Sequence, residues 1–386
     1  MKKIISLILI LGLCSFIQLA KAQSEESVWE KLTKVSKKTD KFNLFLNMNG
    51  SGDYIDDGID NTPASRFYMR QLRLEAKGHI TDRIFYRWRQ RLNRGNIGNG
   101  NIDNLPTSID IAGIGLQLND KWSIFAGKQC TVYGGIEFDV NPIEVYEYSD
   151  MIEYMSNFLT GINLSYQIND HHQLQFQVLD ARNGSLEETY GPNIKETDLP
   201  MLFTLNWNGN MGDVFKTRWS ASIMNQSDDE KMYYFALGNQ FLFGKFNSFL
   251  DFMYSKEGLD RKGIITNIVG KKDYNSHVAM DAEYLSIIMK LGYRINSRWN
   301  GFIKGMYETA SISDNDNAKN IETGKYRTSY GYYAGIEYYP MEDNNLHFFL
   351  TYVGRSYDYT NKAMMANMMK DTNRVSIGFI WQLPMF

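Results

Sequence analysis

Apolar and polar residues alternate one for one in short segments along most of the chain. In residues 173–178 three glutamines alternate with three apolar residues. Residues 216–223 and 326–338 repeat the pattern, with Trp, Tyr and Ile at one parity and Arg, Ser and Glu at the other. A period of two is typical of a β-strand with one apolar face and one solvated face. The sequence therefore predicts an all-β protein made of many such strands.

The connections between these segments alternate between short and long. Short polar turns lie at 81–82, 119–120, 169–170, 210–213, 244–245, 296–297 and 342–345. Longer polar loops lie at about 51–64, 95–108, 131–157, 181–200, 256–277, 310–324 and 355–372. Short turns at one end and long loops at the other are typical of outer-membrane β-barrels. We count sixteen strands, which begin near 41–50, 66–80, 84–94 and 109–118 and close at 373–383.

A soluble β-sandwich shows the same alternation, but three features favour a membrane barrel. The segments run 9–15 residues, which is long enough to cross a bilayer when tilted. Their apolar faces carry Tyr, Trp and Phe near the ends, as interfacial girdles do. Their polar faces carry Arg, Lys, Gln and Glu, which the core of a sandwich could not hold. We therefore predict a transmembrane antiparallel barrel over residues 41–386, in the outer membrane of a Gram-negative bacterium and in contact with its lipid.

The first 22 residues have a different character. A positive start at Lys2 and Lys3 precedes an apolar stretch that ends in a small-residue cleavage motif, which predicts a signal peptide cut between Ala22 and Gln23. Residues 23–40 are then a short periplasmic segment. At the other end, the terminal aromatic Phe386 follows an amphipathic strand and resembles the signal recognised by the barrel-assembly machinery.

Composition and charge exclude several classes of function. The net charge of −3 becomes −6 once the predicted signal peptide is removed, which argues against a nucleic-acid binder. Two cysteines cannot form a disulfide framework or a Cys-built zinc site. We expect no cofactor, no metal and no catalytic residue.

Two neighbouring strands carry a high density of charge on one face. Arginine at the lipid midplane costs about 2–4 kcal/mol, so three arginines at alternate positions of one strand must point into the lumen. The odd-numbered positions of both strands then face inward. We call the cations on this face the basic stripe: Arg73, Lys77, Arg87, Arg89 and Arg91.

The shared parity also predicts how the two strands pair. It requires a turn with Ile80 opposite Ile84, and that register places Arg73 across from Arg91, Glu75 from Arg89, and Lys77 from Arg87. Two of these pairs are like-charged and locally destabilising. The stripe is either a path for anions, which guanidinium groups bind bidentately, or a solvated wall whose charges are balanced by acids elsewhere.

A candidate source of such acids is the loop at 131–157, which we call the constriction loop. It is the third long loop, and trimeric porins fold their third extracellular loop into the barrel. An acidic loop facing a basic wall would set a transverse field across the lumen; the alternative is an ordinary acidic surface loop. The loop acids are Glu137, Asp139, Glu144, Glu147, Asp150 and Glu153.

The N-terminal third of the chain resembles the phosphate-selective porin O and P family. The residues that carry this likeness are Phe67-x-x-Arg70-x-x-Arg73-Leu74, Lys77-Gly78 and the segment from Ile124 to Gln129. The resemblance implies a sixteen-stranded homotrimeric porin with arginines along an anion path. The mature charge and a loop that has acids but no bases favour a general porin over a dedicated phosphate channel.

The expected function is passive diffusion of small polar or anionic solutes, phosphate among them. Two other classes stay open. One is a surface receptor or adhesin whose lumen is plugged. The other is a barrel that hydrolyses lipids, which would depend on the lumen-facing His347.

Overall fold

The computed structural model describes residues 41–57, 64–94, 103, 105–182, 184–192, 194–212, 214–269, 278–314, 321–341, 344–363 and 368–385. The predicted signal peptide (1–22, cleaved between Ala22 and Gln23), the segment 23–40 and the terminal Phe386 lie outside these residues. None of the helices in the described ranges has both the length and the apolarity needed to cross a bilayer.

The described chain forms a closed antiparallel β-barrel. Each strand pairs with its neighbours in sequence, and the last strand pairs with the first, so the sheet has no free edge. The predicted sixteen-stranded barrel is confirmed. The strands are β1 (Asn43–Asp56), β2 (Ala64–His79), β3 (Ile84–Arg91), β4 (Ile109–Gln117), β5 (Trp122–Cys130), β6 (Phe158–Asn169), β7 (His172–Asp180), β8 (Met201–Met211), β9 (Phe215–Asn225), β10 (Lys231–Phe243), β11 (Phe246–Leu259), β12 (Met280–Arg294), β13 (Trp299–Ile312), β14 (Gly324–Tyr338), β15 (His347–Tyr359) and β16 (Thr372–Pro384).

The alternation in the sequence becomes the inner and outer faces of the wall. In β9 the side chains of Trp219 and Ile223 are exposed on the outer surface, whereas Arg218, Ser220 and Ser222 are buried on the inner surface. Successive side chains of a strand point to opposite faces, so each strand presents an apolar row to lipid and a polar row to the lumen.

The two ends of the barrel differ as predicted. The connections at one end are short turns, and those at the other are mostly long loops, although β9 and β10 are joined by a connection of only five residues, 226–230. Aromatic pairs gather at the turn end, where the ring centroids of Trp122 and Tyr166 lie 4.4 Å apart and those of Trp299 and Tyr338 4.8 Å apart. Such rings suit the interface between lipid and water.

Three of the long loops carry short helices in the described residues. The constriction loop contains α1 (Ile136–Asp139), a 3₁₀ turn (Pro142–Glu144) and α2 (Asp150–Glu153), and the loop between β7 and β8 contains α3 (Leu186–Tyr190). The loop between β11 and β12 contains α4 (Ile264–Val269), whose apolar side chains pack in one buried cluster with Met151 and Ile152 of α2. This apolar packing inside the barrel fills part of the lumen and leaves the open space beside the opposite wall.

Candidate functional site: the charged lumen

The basic stripe lies on the inner surface of β2 and β3. The strands pair with Arg73 opposite Arg91, Glu75 opposite Arg89 and Lys77 opposite Arg87, and the turn begins with a hydrogen bond of 2.8 Å from Ile80 N to Ile84 O. The predicted register is therefore confirmed. It brings all five cations of the stripe to one patch of wall.

Two carboxylates separate the like charges of this patch. Arg87 donates a hydrogen bond of 2.8 Å from Nε to Glu75, which is buried between the strands. Asp110 accepts a hydrogen bond of 2.7 Å from Arg91 Nε. Its other oxygen lies 3.2 Å from Arg73 Nη1 and 3.3 Å from Arg89 Nε. Five cations thus share two acids, so the patch keeps a surplus of positive charge.

Sequence reasoning did not find Asp110. A β-bulge at Arg89 and Gln90 shifts the register between β3 and β4, and Asp110 lies in β4 between the partners of these two residues. Bulges re-aim side chains in this way. The signal in the sequence was a lone acid at the start of an otherwise apolar and small-residue strand.

The constriction loop lies inside the barrel against the wall that faces the stripe. Asp251 on β11 accepts hydrogen bonds from the backbone N–H groups of Ile136 (2.9 Å) and Glu137 (2.8 Å). Further along the loop, Asn49 on β1 donates a 2.8 Å hydrogen bond to the carbonyl of Ile143, which is fully buried. The constriction loop is therefore not an ordinary surface loop.

An aromatic side chain holds the middle of the loop. Tyr146 stacks on Phe302 with ring centroids 5.0 Å apart and meets Phe349 edge-on at 4.9 Å. Its hydroxyl donates a 2.9 Å hydrogen bond to Glu337 on β14. The loop is therefore fixed by apolar packing as well as by polar contacts.

Most of the loop acids contact bases on the wall behind the loop and do not contact the basic stripe. Five of the six have such a partner: Glu137 pairs with Lys304, Asp139 with Arg218, Glu144 with His347, Glu147 with Arg374, and Asp150 with both Arg327 and Arg355. Pairing at this wall neutralises much of the negative charge that the loop brings into the lumen. Sequence reasoning missed these partners, although each is a base on the inward parity of its strand.

Glu153 is the loop acid that is not among these five ion pairs. Like Asp139, it lies among the residues lining the open cavity, where Arg94 and Arg91 act on its charge. Burial raises the pKa of the Glu153 carboxyl, and the neighbouring charge of Glu147 raises it further. Because the other five loop acids have basic partners, a transverse field between loop and stripe would rest mainly on Glu153, and the raised pKa of this carboxyl weakens its charge.

The open space in the lumen is a cavity of about 1020 Å³ between the stripe and the constriction loop. Among the described residues that line it, eleven are Lys or Arg and five are Asp or Glu. The charged residues that line the cavity therefore carry a net positive charge, whereas the whole chain carries a net negative charge. An anion that enters this space meets a positive potential at the stripe.

His347, on which the hydrolase alternative depends, lies on the inner wall and is 1% exposed. Its Nε2 is 3.4 Å from Glu144 Oε2, and its Nδ1 is 2.8 Å from the carbonyl oxygen of Asn345. Neither neighbour offers a nucleophilic hydroxyl of the kind that a Ser–His hydrolase uses.

Comparisons with known proteins agree with this geometry. A family model described as phosphate-selective porin O and P matches residues 42–383. No curated protein matches the chain in sequence.

Several solved structures share the fold. The outer-membrane channel DcaP of Acinetobacter baumannii aligns with a TM-score of 0.62 and 13% identity, over 89% of this chain and 97% of that one. Salmonella typhi OmpF, in a complex with daunomycin, gives a TM-score of 0.59 and 16% identity over 89% and 98% of the two chains. The trimer form of Vibrio cholerae OmpT gives 0.56 and 11% over 89% and 99%.

Proposed function

Because the chain belongs to the phosphate-selective porin O and P family and is an outer-membrane porin channel, we propose that it lets small polar solutes diffuse passively and favours anions. The family and its structural neighbours indicate a channel rather than an enzyme. In this proposal the basic stripe forms one side of the narrowest passage, and the constriction loop forms the other.

The observation that carries the proposal is the surplus of bases along the cavity. Alternate residues of a strand lie about 6.6–6.8 Å apart, so an anion can pass from one guanidinium group to the next without leaving their field. Guanidinium groups also bind phosphate and carboxylate through two parallel hydrogen bonds. Phosphate and small carboxylates are therefore the solutes that we propose first.

Assembly and processing complete the proposal. We propose a homotrimer embedded in outer-membrane lipid, by analogy with the trimer form of V. cholerae OmpT. Cleavage between Ala22 and Gln23 would release residues 1–22, residues 23–40 would remain in the periplasm, and the barrel-assembly machinery would recognise Phe386.

The test replaces Arg87, Arg89 and Arg91 by Gln, which removes three charges and keeps strand length and polarity. Within a Debye length of about 8 Å these charges dominate the local potential. We expect the reversal potential in a salt gradient, measured in planar bilayers, to move toward cations and the effect to fade at high salt. An unchanged reversal potential at low salt would overturn the anion preference.

A matched control separates the stripe from other lumen bases. Arg218→Gln removes a cation that also lines the cavity but is already paired with Asp139 on the constriction loop. It removes one charge from the lumen instead of three, so it should change the reversal potential by less than the triple substitution does. Silence of the parent protein in the bilayer would favour the receptor or adhesin with a plugged lumen.

A further inference from the structure

The side of the constriction loop that borders the open cavity carries more apolar side chains than charged ones. Two acids of the loop, Glu137 and Asp150, are buried against the wall behind it, where they pair with bases. Two others, Asp139 and Glu153, line the cavity. The loop also lines the cavity with partly exposed apolar and aromatic side chains, among them Phe138, Val140, Pro142, Tyr148, Tyr154 and Met155. A solute in the cavity therefore meets an apolar surface on the side of the loop and cations on the side of the stripe.

Phe138 is held at this border by its neighbours in α1 and by a second ring. Glu137 and Asp139, on either side of it in sequence, both pair with bases of the barrel wall. The Phe138 ring meets the ring of Tyr133 edge-on, with ring centroids 5.7 Å apart, and Tyr133 is almost completely buried. The aromatic ring therefore has a defined position beside the cavity.

Tyr148 lies near the stripe. The next residue, Ser149, is buried and donates a 2.7 Å hydrogen bond from its hydroxyl to Glu137, which fixes the loop at this point. Arg73 and Arg89 both act electrostatically on the Tyr148 hydroxyl. The ring of Tyr148 thus borders the cavity close to two guanidinium groups of the stripe.

A third aromatic ring contacts the stripe directly. Phe158 is the first residue of β6 and lines the cavity. Cζ of Arg89 lies 5.2 Å from the centroid of its ring, and Cζ of Arg91 lies 5.5 Å from it. A guanidinium group at such a distance is attracted by the π electrons of the ring. Aromatic rings and cations therefore border the same space.

A solute that uses both surfaces is an aromatic ring with an anionic group attached. A carboxylate or phosphate group accepts paired hydrogen bonds from a guanidinium group. The ring of the solute can stack on aromatic side chains, with ring centroids about 4.5–7 Å apart. The cavity of about 1020 Å³ is large enough, because pockets for small molecules have volumes of about 300–1,000 Å³. Inorganic phosphate would use the stripe alone, and a neutral ring would use the apolar surface alone.

We propose that the cavity is a binding site for aromatic anions on the solute path. The ring of the solute lies against Phe138, Tyr148 and Phe158, and the basic stripe binds its carboxylate or phosphate group. This inference rests on the proposed function, because it names a class of solute for the same passage. Other small anions pass as well, but they bind the stripe alone.

Three probes of similar size separate the contribution of the ring from that of the charge. Benzoate has an aromatic ring and a carboxylate, cyclohexanecarboxylate has the charge without the aromatic ring, and benzamide has the ring without the charge. Each is added at about pH 7, where carboxylic acids are ionised, to the parent protein in a planar bilayer. The measured quantity is the probe concentration that halves the chloride current.

Benzoate should halve the chloride current at a concentration about two- to tenfold lower than cyclohexanecarboxylate, because aromatic pairs contribute this much beyond the burial of apolar area. Benzamide should leave the current unchanged at the concentration at which benzoate halves it. Equal half-blocking concentrations for the two carboxylates would overturn the aromatic site, and so would a chloride current that benzoate does not reduce.

A variant that lacks the three rings tests which residues form the site. It combines Phe138→Leu, Tyr148→Leu and Phe158→Leu, which keep apolar side chains and all charges. The half-blocking concentration of benzoate should rise to that of cyclohexanecarboxylate. The matched control removes two Phe rings and one Tyr ring from the exposed outer surface, through Phe235→Leu, Tyr307→Leu and Phe348→Leu, and should keep the parental preference. If the combined ring variant gives no folded barrel, Tyr148→Leu alone should produce a smaller rise of the same sign.

A second measurement does not depend on conduction. In saturation-transfer NMR on the detergent-solubilised protein, the ring protons of benzoate should receive less saturation from the ring variant than from the parent. Equal transfer from the two proteins would also overturn the proposal. The reversal potential distinguishes this inference from the proposed function, because the ring variant keeps every charge and should keep the parental value. An aromatic site can therefore fail while the anion preference holds, and a failed anion preference shows in the arginine substitutions instead.

Discussion

At the residue scale, the basic stripe is stable only because carboxylates separate its cations. Asp110 is almost completely buried, and it contacts Arg73, Arg89 and Arg91 at once. Glu75 separates the cations at the other end of the stripe, where Arg87 and Lys77 approach the same oxygen of its carboxylate. The two acids hold the guanidinium groups apart and leave the remaining charge facing the cavity.

Loss of Asp110 should therefore cost stability. Asp110→Asn leaves three guanidinium groups around a neutral amide, and removal of one partner from a buried ion pair costs about 3 kcal/mol or more. We expect a fall of this size in the free energy of unfolding, measured by urea titration with tryptophan fluorescence in lipid vesicles.

The control for this substitution is an exposed pair of the same type. Asp180→Asn removes the partner of Arg182, whose side chain is 45% exposed, and such pairs contribute about 0–1 kcal/mol. Equal losses in the two variants would show that Asp110 has no special role. Reversal potentials should separate them as well, since only Asp110→Asn adds net positive charge at the stripe.

At the element scale, the constriction loop behaves as a part of the wall. Its three short helical turns have few hydrogen bonds of their own, and their position comes from Asp251, the aromatic pocket around Tyr146 and the ion pairs behind the loop. The pocket supplies the apolar share of this attachment. Ion pairs alone would be weakened by the salt of the lumen.

Tyr146→Ala should loosen the loop without unfolding the barrel. Deletion of a buried aromatic ring costs about 3–5 kcal/mol, and here that cost falls on the docking of the loop. We expect larger and noisier single-channel conductance than in the parent. Tyr146→Phe keeps the ring contacts and loses only the hydrogen bond to Glu337, so its conductance should lie close to the parental value. The docking role of the ring is wrong if Tyr146→Ala conducts as the parent does.

Sequence reasoning was most successful for features that depend on a single strand or hairpin, namely the positions of the strands and the pairing of β2 with β3. Alternation identified the strands, and the parity of the arginines identified the register of β2 with β3, because a slip by one residue would move three arginines into lipid. Both depend on residues that are close in sequence.

The partners of the loop acids could not be predicted in the same way. Asp150 meets Arg355, which lies more than two hundred residues further along the chain, only because the loop follows a particular path across the lumen. That path depends on Asp251 and on the buried apolar cluster to which α4 and α2 both contribute, and neither has a periodic signature. The β-bulge that places Asp110 at the stripe is a local irregularity of the sheet, and it has no periodic signature in the sequence either.

At the scale of the whole molecule, basic and acidic residues are distributed unequally between the open cavity and the rest of the chain. The chain has a net charge of −3, yet bases outnumber acids among the described residues that line the open cavity. Of the six loop acids, only Asp139 and Glu153 line this cavity, and most of the others pair with bases behind the loop. Net charge alone is therefore a poor guide to the selectivity of a barrel, because only the charges that line the open passage act on a solute.

The end of the chain is expected to matter for assembly. Deletion of Phe386 should slow folding and deplete the heat-modifiable form of the protein from the outer membrane, as judged by gel mobility with and without boiling. Phe386→Tyr keeps an aromatic terminus and should assemble at the parental rate. Unchanged yield of folded barrel after the deletion would contradict the role that we assign to this residue.

The pairing of β1 with β16 has a kinetic consequence. Asn49 on β1 is paired with Ile380 on β16. The barrel can therefore close only after almost the whole chain has been delivered to the site of folding. Until that moment both outermost strands expose unpaired backbone groups, which are templates for association with other chains. Closure between such distant segments is also slow, because the entropy of a long loop must be overcome first. Chains waiting in the periplasm are therefore vulnerable to aggregation and proteolysis for as long as the first strand lacks its final neighbour.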